Sequence, residues 1–356
     1  MPPLEANYDE SINKSTDFVD DHKWGKLFPT CVADPDRSSQ FMTRMIYVAF
    51  STVLHRRGIL STEYFSKNYI TEKSRCLTLC FKNPKALAIA QKLKSAGEAV
   101  KKGYLKELSL VLSNNEDDEE AFEVYSMKFH YFKDGGVAAY FSTNAEGDQQ
   151  SPLEKLSRVE YKGTGSVKDQ LLSLLRGVLY MTHKILTPLQ EGYAANLRVN
   201  YTDETPEDFK IDGFSDSNSF YSLPQDIQSA TIGHVRPGYH GAVFECASIH
   251  MNDAYQAEMS MKRYHAKNCD ALGYNANETL FTTMDSENDP KASQTLIDSV
   301  TPASNEKKNT TVENLAKSLD QSATVVTPKQ TRATRKNAGE AVKTRTSPYS
   351  KTRSRK

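Results

Sequence analysis

The 356-residue sequence lacks the long apolar run that a membrane-spanning helix requires, which is roughly 18 uncharged residues. Its N-terminus, MPPLEANYDES, has neither the basic nor the apolar segment of a secretory signal peptide. The five cysteines are sparse and include no CxxC pair, which is typical of reduced thiols in the cytosol or nucleus. We therefore expect neither secretion nor membrane contact.

Patterns that carry catalytic or metal chemistry are also missing. The segment 163–168, GTGSVK, lacks the GxxxxGK[ST] spacing of a phosphate-binding loop, and no G-x-S-x-G elbow or HExxH motif occurs. His234 with His240, or His265 with Cys269, could supply part of a zinc site, but no complete ligand set accompanies either pair. The sequence predicts a protein that is not an enzyme and that holds no metal or cofactor.

Charge is balanced in total but divided along the chain. Lysine and arginine number 45, as do aspartate and glutamate. Residues 329–356 hold ten basic residues against one acidic residue, so this tail carries +9 and the preceding body carries −9. The body is therefore acidic and the tail basic, and the total charge describes neither.

Hydrophobic periodicity predicts an α+β body between a polar N-terminal arm, residues 1–36, and a disordered linker, residues 251–339. We expect helices at 38–57, 62–68, 84–102 and 167–186, the last with a capping box formed by Ser166 and Asp169. We expect strands at 76–81, 104–113, 121–133, 137–142 and 194–201, with an antiparallel meander over 104–142. Alternation along the 121–133 strand directs Met127 into the core.

Two consecutive segments resemble a known family. RSSQFMTRMIYVAF at 37–50 and LHRRGILSTEYF at 54–65 resemble the opening helix of the HORMA domain and the turn that follows it. CLTL at 76–79, the next helix, two strands around an acidic loop, a buried helix and TPEDFKIDGF at 205–214 follow in that family's order. The resemblance covers residues 37–250 and is strongest to the short nematode HORMA proteins of the meiotic chromosome axis.

The resemblance implies helices packed on a small antiparallel sheet, with a C-terminal safety belt at about 203–248, called the belt below. The belt would trap a short peptide, the closure motif, against the sheet edge by strand addition. Its aromatic pieces, separated by glycine and proline, suit a segment that changes its pairing. Candidate anchors are Phe214, Phe220, Tyr221 and Tyr239, and the alternative is that these are ordinary edge-strand aromatics.

Meiotic members of this family often carry a closure motif in their own tail. The candidate here lies in the basic tail at 340–356 and comprises Arg345, Pro348, Tyr349, Lys351 and Arg353. The same charges would serve equally well as a nuclear-localisation signal or a weak DNA contact. Both uses could hold.

Residues and resemblance together predict a non-enzymatic adaptor of the meiotic chromosome axis in the nucleus. It would trap closure motifs of other HORMA-domain axis proteins and offer its own, supporting axis assembly, homologue pairing, synapsis and crossover control. Further expected partners are an AAA+ remodeller that unthreads the N-terminal arm and, indirectly, chromatin with cohesin. The alternative is a chromatin-binding protein that acts mainly through its basic tail.

Overall fold

The computed structural model describes residue 19 and residues 21–72, 74–115, 120–133, 151–217, 220–225, 227–272 and 324–326. The helices are α1 His22–Leu27, α2 Pro35–Arg56, α3 Pro84–Lys101, α4 Pro152–Ser157, α5 Thr164–Tyr180 and α6 Ala254–Leu272. The strands are β1 Phe65–Tyr69, β2 Arg75–Leu79, β3 Leu105–Ser113, β4 Ala121–Tyr131, β5 Ala194–Tyr201, β6 Ser215–Ser217, β7 Ser229–Val235, β8 His240–Ser248 and β9 Thr324–Val326. None of the helices in these ranges is long and apolar enough to cross a membrane.

Seven of the described strands form one sheet in the order β6-β9-β5-β3-β4-β8-β7, and β1 with β2 forms a separate hairpin. All neighbours in the large sheet are antiparallel, except that β9 runs parallel to both β5 and β6. Met127 on the central strand β4 is fully buried in the main core. Helices packed on an antiparallel sheet confirm the predicted α+β class.

The long helix α2 lies across this core. It begins at Pro35 because the Asp34 carboxylate caps the helix by accepting a hydrogen bond from the Arg37 backbone. Its Phe50 ring meets Phe244 of β8 edge-on, with ring centroids 5.6 Å apart. The predicted helices at 38–57 and 84–102 correspond to α2 and α3, since a continuous apolar stripe of period 3.6 marks both.

Helix α5 differs from its prediction in how it begins. Its N-cap is Gly163, at φ +87°, and no side chain caps the helix, so the expected capping box at Ser166 and Asp169 is wrong. The helix starts earlier because Thr164 is buried and its hydroxyl accepts a hydrogen bond from the Val32 backbone at 3.1 Å. A tertiary contact with the N-terminal arm thus decides the boundary that the local motif misplaced.

The segment after α2 is also different from expectation. Only Thr62–Tyr64 forms a helical turn, of 3₁₀ type, and Phe65–Tyr69 is strand β1 paired with β2. Hairpin pairing with β2 prevails over helix propensity there, and the predicted helix at 62–68 is wrong. The strand predicted at 137–142 lies outside the described residues; β4 is paired with β3 on one side and with β8 on the other.

Helix α6 occupies the start of the region predicted to be a disordered linker. Its Ala254, Ala257 and Met261 are buried against the main core, and the Glu258 carboxylate accepts a hydrogen bond from the Thr231 backbone of β7 at 2.6 Å. The expectation that order is lost after residue 250 is therefore wrong for 254–272. The low mean hydropathy of this segment led to the prediction of disorder. A helix that packs at the edge of the body needs only a narrow apolar stripe, so its mean hydropathy can be low.

Candidate strand-binding site

Strand β9 comes from the C-terminal part of the chain and lies between β5 and β6. Thr324, Val325 and Val326 are opposite residues 198–200 of β5 on one side and residues 215–217 of β6 on the other. Pairing of this kind uses main-chain groups, so any extended segment with the same register can take the place of β9. The sheet thus contains a slot for one added strand.

The belt encloses this slot. After β5 the chain runs outward to β6, turns back under the sheet at 220–223, and then forms β7 and β8 at the opposite edge. Tyr221 and Leu223 pack on a small cluster of Val111, Ala121 and Val124, which is separate from the main core. Since side chains alternate along a strand, this cluster lies on the sheet face that points away from the helices. A strand in the slot is held by the sheet edge and by the belt together.

Hydrogen bonds fix the crossing of the belt under the sheet. The Tyr221 hydroxyl donates to the Glu107 carboxylate of β3 at 3.3 Å, and the Ala121 backbone N–H donates to the Ser222 carbonyl at 2.9 Å. Burial raises the pKa of Glu107, although Lys128 and hydrogen bonds from Ser109 and Tyr221 oppose this shift. The crossing is therefore held by polar contacts as well as by apolar packing.

The sheet face on which the belt crosses carries charged groups. Lys128 on β4 pairs with Glu245 on β8 at 2.5 Å, and the Ser109 hydroxyl donates to Glu107 at 3.0 Å. Arg198 on β5, directly opposite Thr324 of β9, is only 6% exposed. Water can hydrogen-bond these groups once they are uncovered. Exposing this face therefore costs less free energy than exposing an apolar surface of the same size would.

The predicted belt anchors occupy different places. Phe214 packs partly buried against the main core, and Phe220 lies against Tyr221 with ring centroids 4.6 Å apart. Tyr239 lies in the turn between β7 and β8, and strands β4, β3 and β5 separate β8 from β9. Phe220 and Tyr221 thus contact each other, Tyr221 packs under the sheet, and Tyr239 lies at the far side of the sheet.

The closure-motif candidate in the tail, Arg345 to Arg353, lies outside the described residues. Sequence reasoning missed the segment that does occupy the slot, Thr324–Val326. A signal was present, because Thr324–Thr327 is a run of four β-branched residues within a polar region, and β-branched residues favour strands. Among the described residues, no three His, Cys, Asp or Glu side chains gather closely enough to hold a metal ion.

A family model, the HORMA domain, matches residues 38–240, which is more than half of the chain. The chain therefore belongs to the HORMA-domain family, and the resemblance drawn from the opening helix and its turn is confirmed. HORMA domain-containing protein 1 of Rattus norvegicus is 25% identical over 195 residues, 54% of this chain and 47% of that protein. HORMA domain-containing protein 2 of Bos taurus is 23% identical over 222 residues, 60% of this chain and 68% of that protein. The chain spans about half the length of the rat relative.

Solved structures give higher identities. HTP-1 of C. elegans bound to HTP-3 motif-1 is 57% identical, with a TM-score of 0.62, and the match covers 66% of this chain and 100% of that one. HTP-2 of C. elegans bound to HTP-3 closure motif 1 is 52% identical, with a TM-score of 0.63, over 69% of this chain and 100% of that one. A third match is HTP-1 bound to the HIM-3 closure motif, at 56% identity, a TM-score of 0.62, and 66% and 100% coverage.

Proposed function

We propose that this chain is a non-enzymatic adaptor of the meiotic chromosome axis that traps closure-motif peptides under its belt. The observation that carries the proposal is the strand β9 enclosed between β5 and β6. The similar HTP-1 and HTP-2 are bound to closure motifs of HTP-3 and HIM-3. Closure motifs of other HORMA-domain axis proteins are therefore the partners that this slot fits best, and meiotic chromosomes in the nucleus are its place of action.

The proposed motif of the chain itself contains Thr324–Val326, which occupies the slot in a self-closed state. Charge supports this arrangement. Because β9 is parallel to β5, with Val326 opposite Asn200, the chain leaves the slot near the end of β5, where the belt begins. Residues 203–216 of the belt hold six acidic side chains and one lysine, whereas residues 329–356 carry +9. This complementarity supports Thr324–Val326 as the occupant, because the basic residues that follow it in sequence balance the acidic start of the belt.

Capture of a labelled peptide by the full-length chain tests the proposal. A peptide spanning 318–332 should be captured and released slowly, whereas a matched Val325→Pro peptide should fail because proline removes a backbone N–H from the added strand. A peptide spanning 340–356, with Tyr349→Ala as its control, tests the candidate at Arg345–Arg353. Equal capture of the 318–332 peptide and its proline variant would refute strand addition.

The tail charge of +9 supports a second candidate function, which is DNA or chromatin contact through the basic tail. Salt separates the two functions. When binding depends on phosphate contacts, the logarithm of the binding constant falls with the logarithm of the salt concentration, with a slope of about one for each neutralised phosphate. The release rate of a strand enclosed by the belt should change little with salt. If all measurable partner binding disappeared steeply with salt, the tail would be the main contact.

The proposed AAA+ remodeller would act through the N-terminal arm. Trp24 of α1 is fully buried, and Asp21 pairs with Lys168 of α5 at 2.7 Å. At Gly238, in the β7–β8 turn, an added Cβ would lie only 2.7 Å from the Val32 carbonyl, so arm and turn are in close contact. Pulling out the arm would uncover the end of the belt and loosen it.

A further inference from the structure

The path from β5 to β6 determines where the outer wall of the slot lies. Its first residues are tied to the body: the Thr202 N–H donates to the Tyr104 carbonyl at 2.9 Å and the Thr202 hydroxyl to the Gly103 carbonyl at 3.0 Å. The Thr205 hydroxyl also donates to Tyr104, at 3.1 Å. The path is therefore attached to the body up to residue 205.

Phe209 is the next fixed point, and it is held on three sides. Its half-buried ring meets Tyr104 edge-on at 4.9 Å and Tyr201 edge-on at 5.7 Å between centroids. The Lys102 ammonium lies 4.7 Å from the centre of the same ring. Beside it, the Ile211 N–H donates to the Tyr201 hydroxyl at 3.1 Å. Edge-to-face and cation–π contacts of this kind are stabilising beyond the area that they bury.

Beyond Phe209, Ile211 is buried in the main core and Phe214 is partly buried against it, so the ties to the body weaken only after Phe214. Lys210 and Asp216 form an ion pair whose side chains are 64% and 56% exposed, and such exposed pairs contribute little. An open cleft of about 550 Å³ lies beside the Phe209 ring, between the end of α3 and residues 206–212. The cleft therefore offers space for the Phe209 ring when its contacts with Tyr104 and Tyr201 break.

We propose that Phe209 is a positioning residue that latches the belt and sets how long a strand stays in the slot. This inference rests on the proposed peptide-trapping function. Its physical basis is that the ring contacts exist only while β6 lies beside β9, and they are lost when residues 206–217 swing away. Removing the ring therefore shifts the opening equilibrium of the belt without altering the sheet core, which Phe209 only borders.

Hydrogen–deuterium exchange on the full-length chain tests the latch. In Phe209→Ala, the amides of residues 215–217 and 324–326 should exchange about tenfold faster, while those of β3, β4 and β8 keep wild-type protection. Phe209→Tyr retains the ring and should restore slow exchange. Ile89→Val, a core change in α3, serves as the matched control. Unchanged exchange at 215–217 and 324–326 would overturn the latch, as would uniform loss of protection over the sheet.

A second readout separates failure of the latch from failure of the proposed function. Wild-type and Phe209→Ala chains are each given labelled 318–332 peptide, and its release is followed after excess unlabelled peptide is added. Faster release from Phe209→Ala supports the latch. Capture by both chains with equal release rates overturns the latch alone, whereas no capture by the wild type overturns peptide trapping in trans and leaves exchange at 324–326 as the deciding measurement.

Discussion

Removing the buried carboxylate of Glu123 should destabilise this protein more than removing any surface charge. The Arg57 guanidinium donates to both Glu123 carboxylate oxygens, at 2.7 and 2.9 Å, and to the Thr187 carbonyl at 2.9 Å. The Ser248 hydroxyl donates to the same carboxylate at 3.0 Å. The two charged side chains are 2% and 0% exposed, so this network joins the end of α2 to β4 and to the end of β8.

The expected magnitude follows from what each substitution leaves behind. Burial alone would lower the pKa of Arg57, but Tyr125, Glu123 and a hydrogen bond outweigh burial and raise that pKa, so the guanidinium stays charged. Glu123→Ala therefore leaves an uncompensated buried cation and should cost about 3–5 kcal/mol in the free energy of unfolding. The double variant Arg57→Met, Glu123→Leu removes both charges and should return to within about 1 kcal/mol of wild type.

Urea denaturation of wild type, Arg57→Met, Glu123→Leu and the double variant forms a double-mutant cycle, and Glu123→Ala is measured beside it. Lys101→Ala provides the matched control, because Lys101 also pairs with a carboxylate but both Lys101 and its partner Asp36 are exposed, at 57% and 81%, and it should cost no more than about 1 kcal/mol. If Glu123→Ala cost under 1 kcal/mol, or if the double variant were as unstable as the sum of the two single variants, the reasoning about an unpaired buried charge would be refuted.

Two further predictions concern the core and the acid response. Met127→Lys should lower the free energy of unfolding by several kcal/mol because it buries an unpaired ammonium, and Met127→Leu should stay near wild type; equal thermal stability of the two variants would contradict the buried position. Burial lowers the pKa of His240 from 6.5 to about 4. The unfolded chain therefore takes up a proton as the pH falls below 6.5 and the folded chain does not. Between pH 6.5 and 4 the wild type should lose up to about 3 kcal/mol more than His240→Gln, measured by urea unfolding at each pH. Parallel curves for the two chains would contradict this prediction.

The crossing of the belt under the sheet is held partly by polar contacts, which bears on how the proposed trapping could be reversed. Tyr221 is tied to Glu107 by a hydrogen bond, and Lys128 with Glu245 lies on the same sheet. Water can hydrogen-bond Tyr221 and Glu107 once the crossing at 220–223 leaves the sheet, and that crossing covers only the small apolar cluster around Val111. This crossing can therefore leave the sheet without exposing the main core, to which Ile211 and strands β7 and β8 of the belt belong.

Several elements could be predicted because their information is local. The apolar stripes of α2 and α3 repeat with the period of a helix, and the alternation in β4 repeats with the period of a strand, so residues such as Phe50 and Met127 had defined environments before any contact was known. The ordered series of motifs from residue 37 onward also predicted the HORMA family. The belt was expected from that resemblance, since its broken pieces have no period of their own.

Other features depended on partners outside the segment itself, near or far along the chain. Phe65–Tyr69 is a strand because β2 pairs with it, and α6 is ordered because β7 and the core receive it. The choice of Thr324–Val326 for the slot was the hardest to foresee. Its β-branched residues permit a strand, but only two neighbours that offer matching backbone groups, β5 and β6, give that strand a place.

The sequence by itself determined which stretches are helical or extended, where the charge lies and to which family the chain belongs, because these properties depend on neighbouring residues along the chain. Only the tertiary structure decided which tail segment lies in the slot, how the belt crosses the sheet and where Phe209 is seated. These depend on pairing between groups more than a hundred residues apart, or on contacts across separate elements, and backbone hydrogen bonds leave no residue pattern from which the partner can be identified.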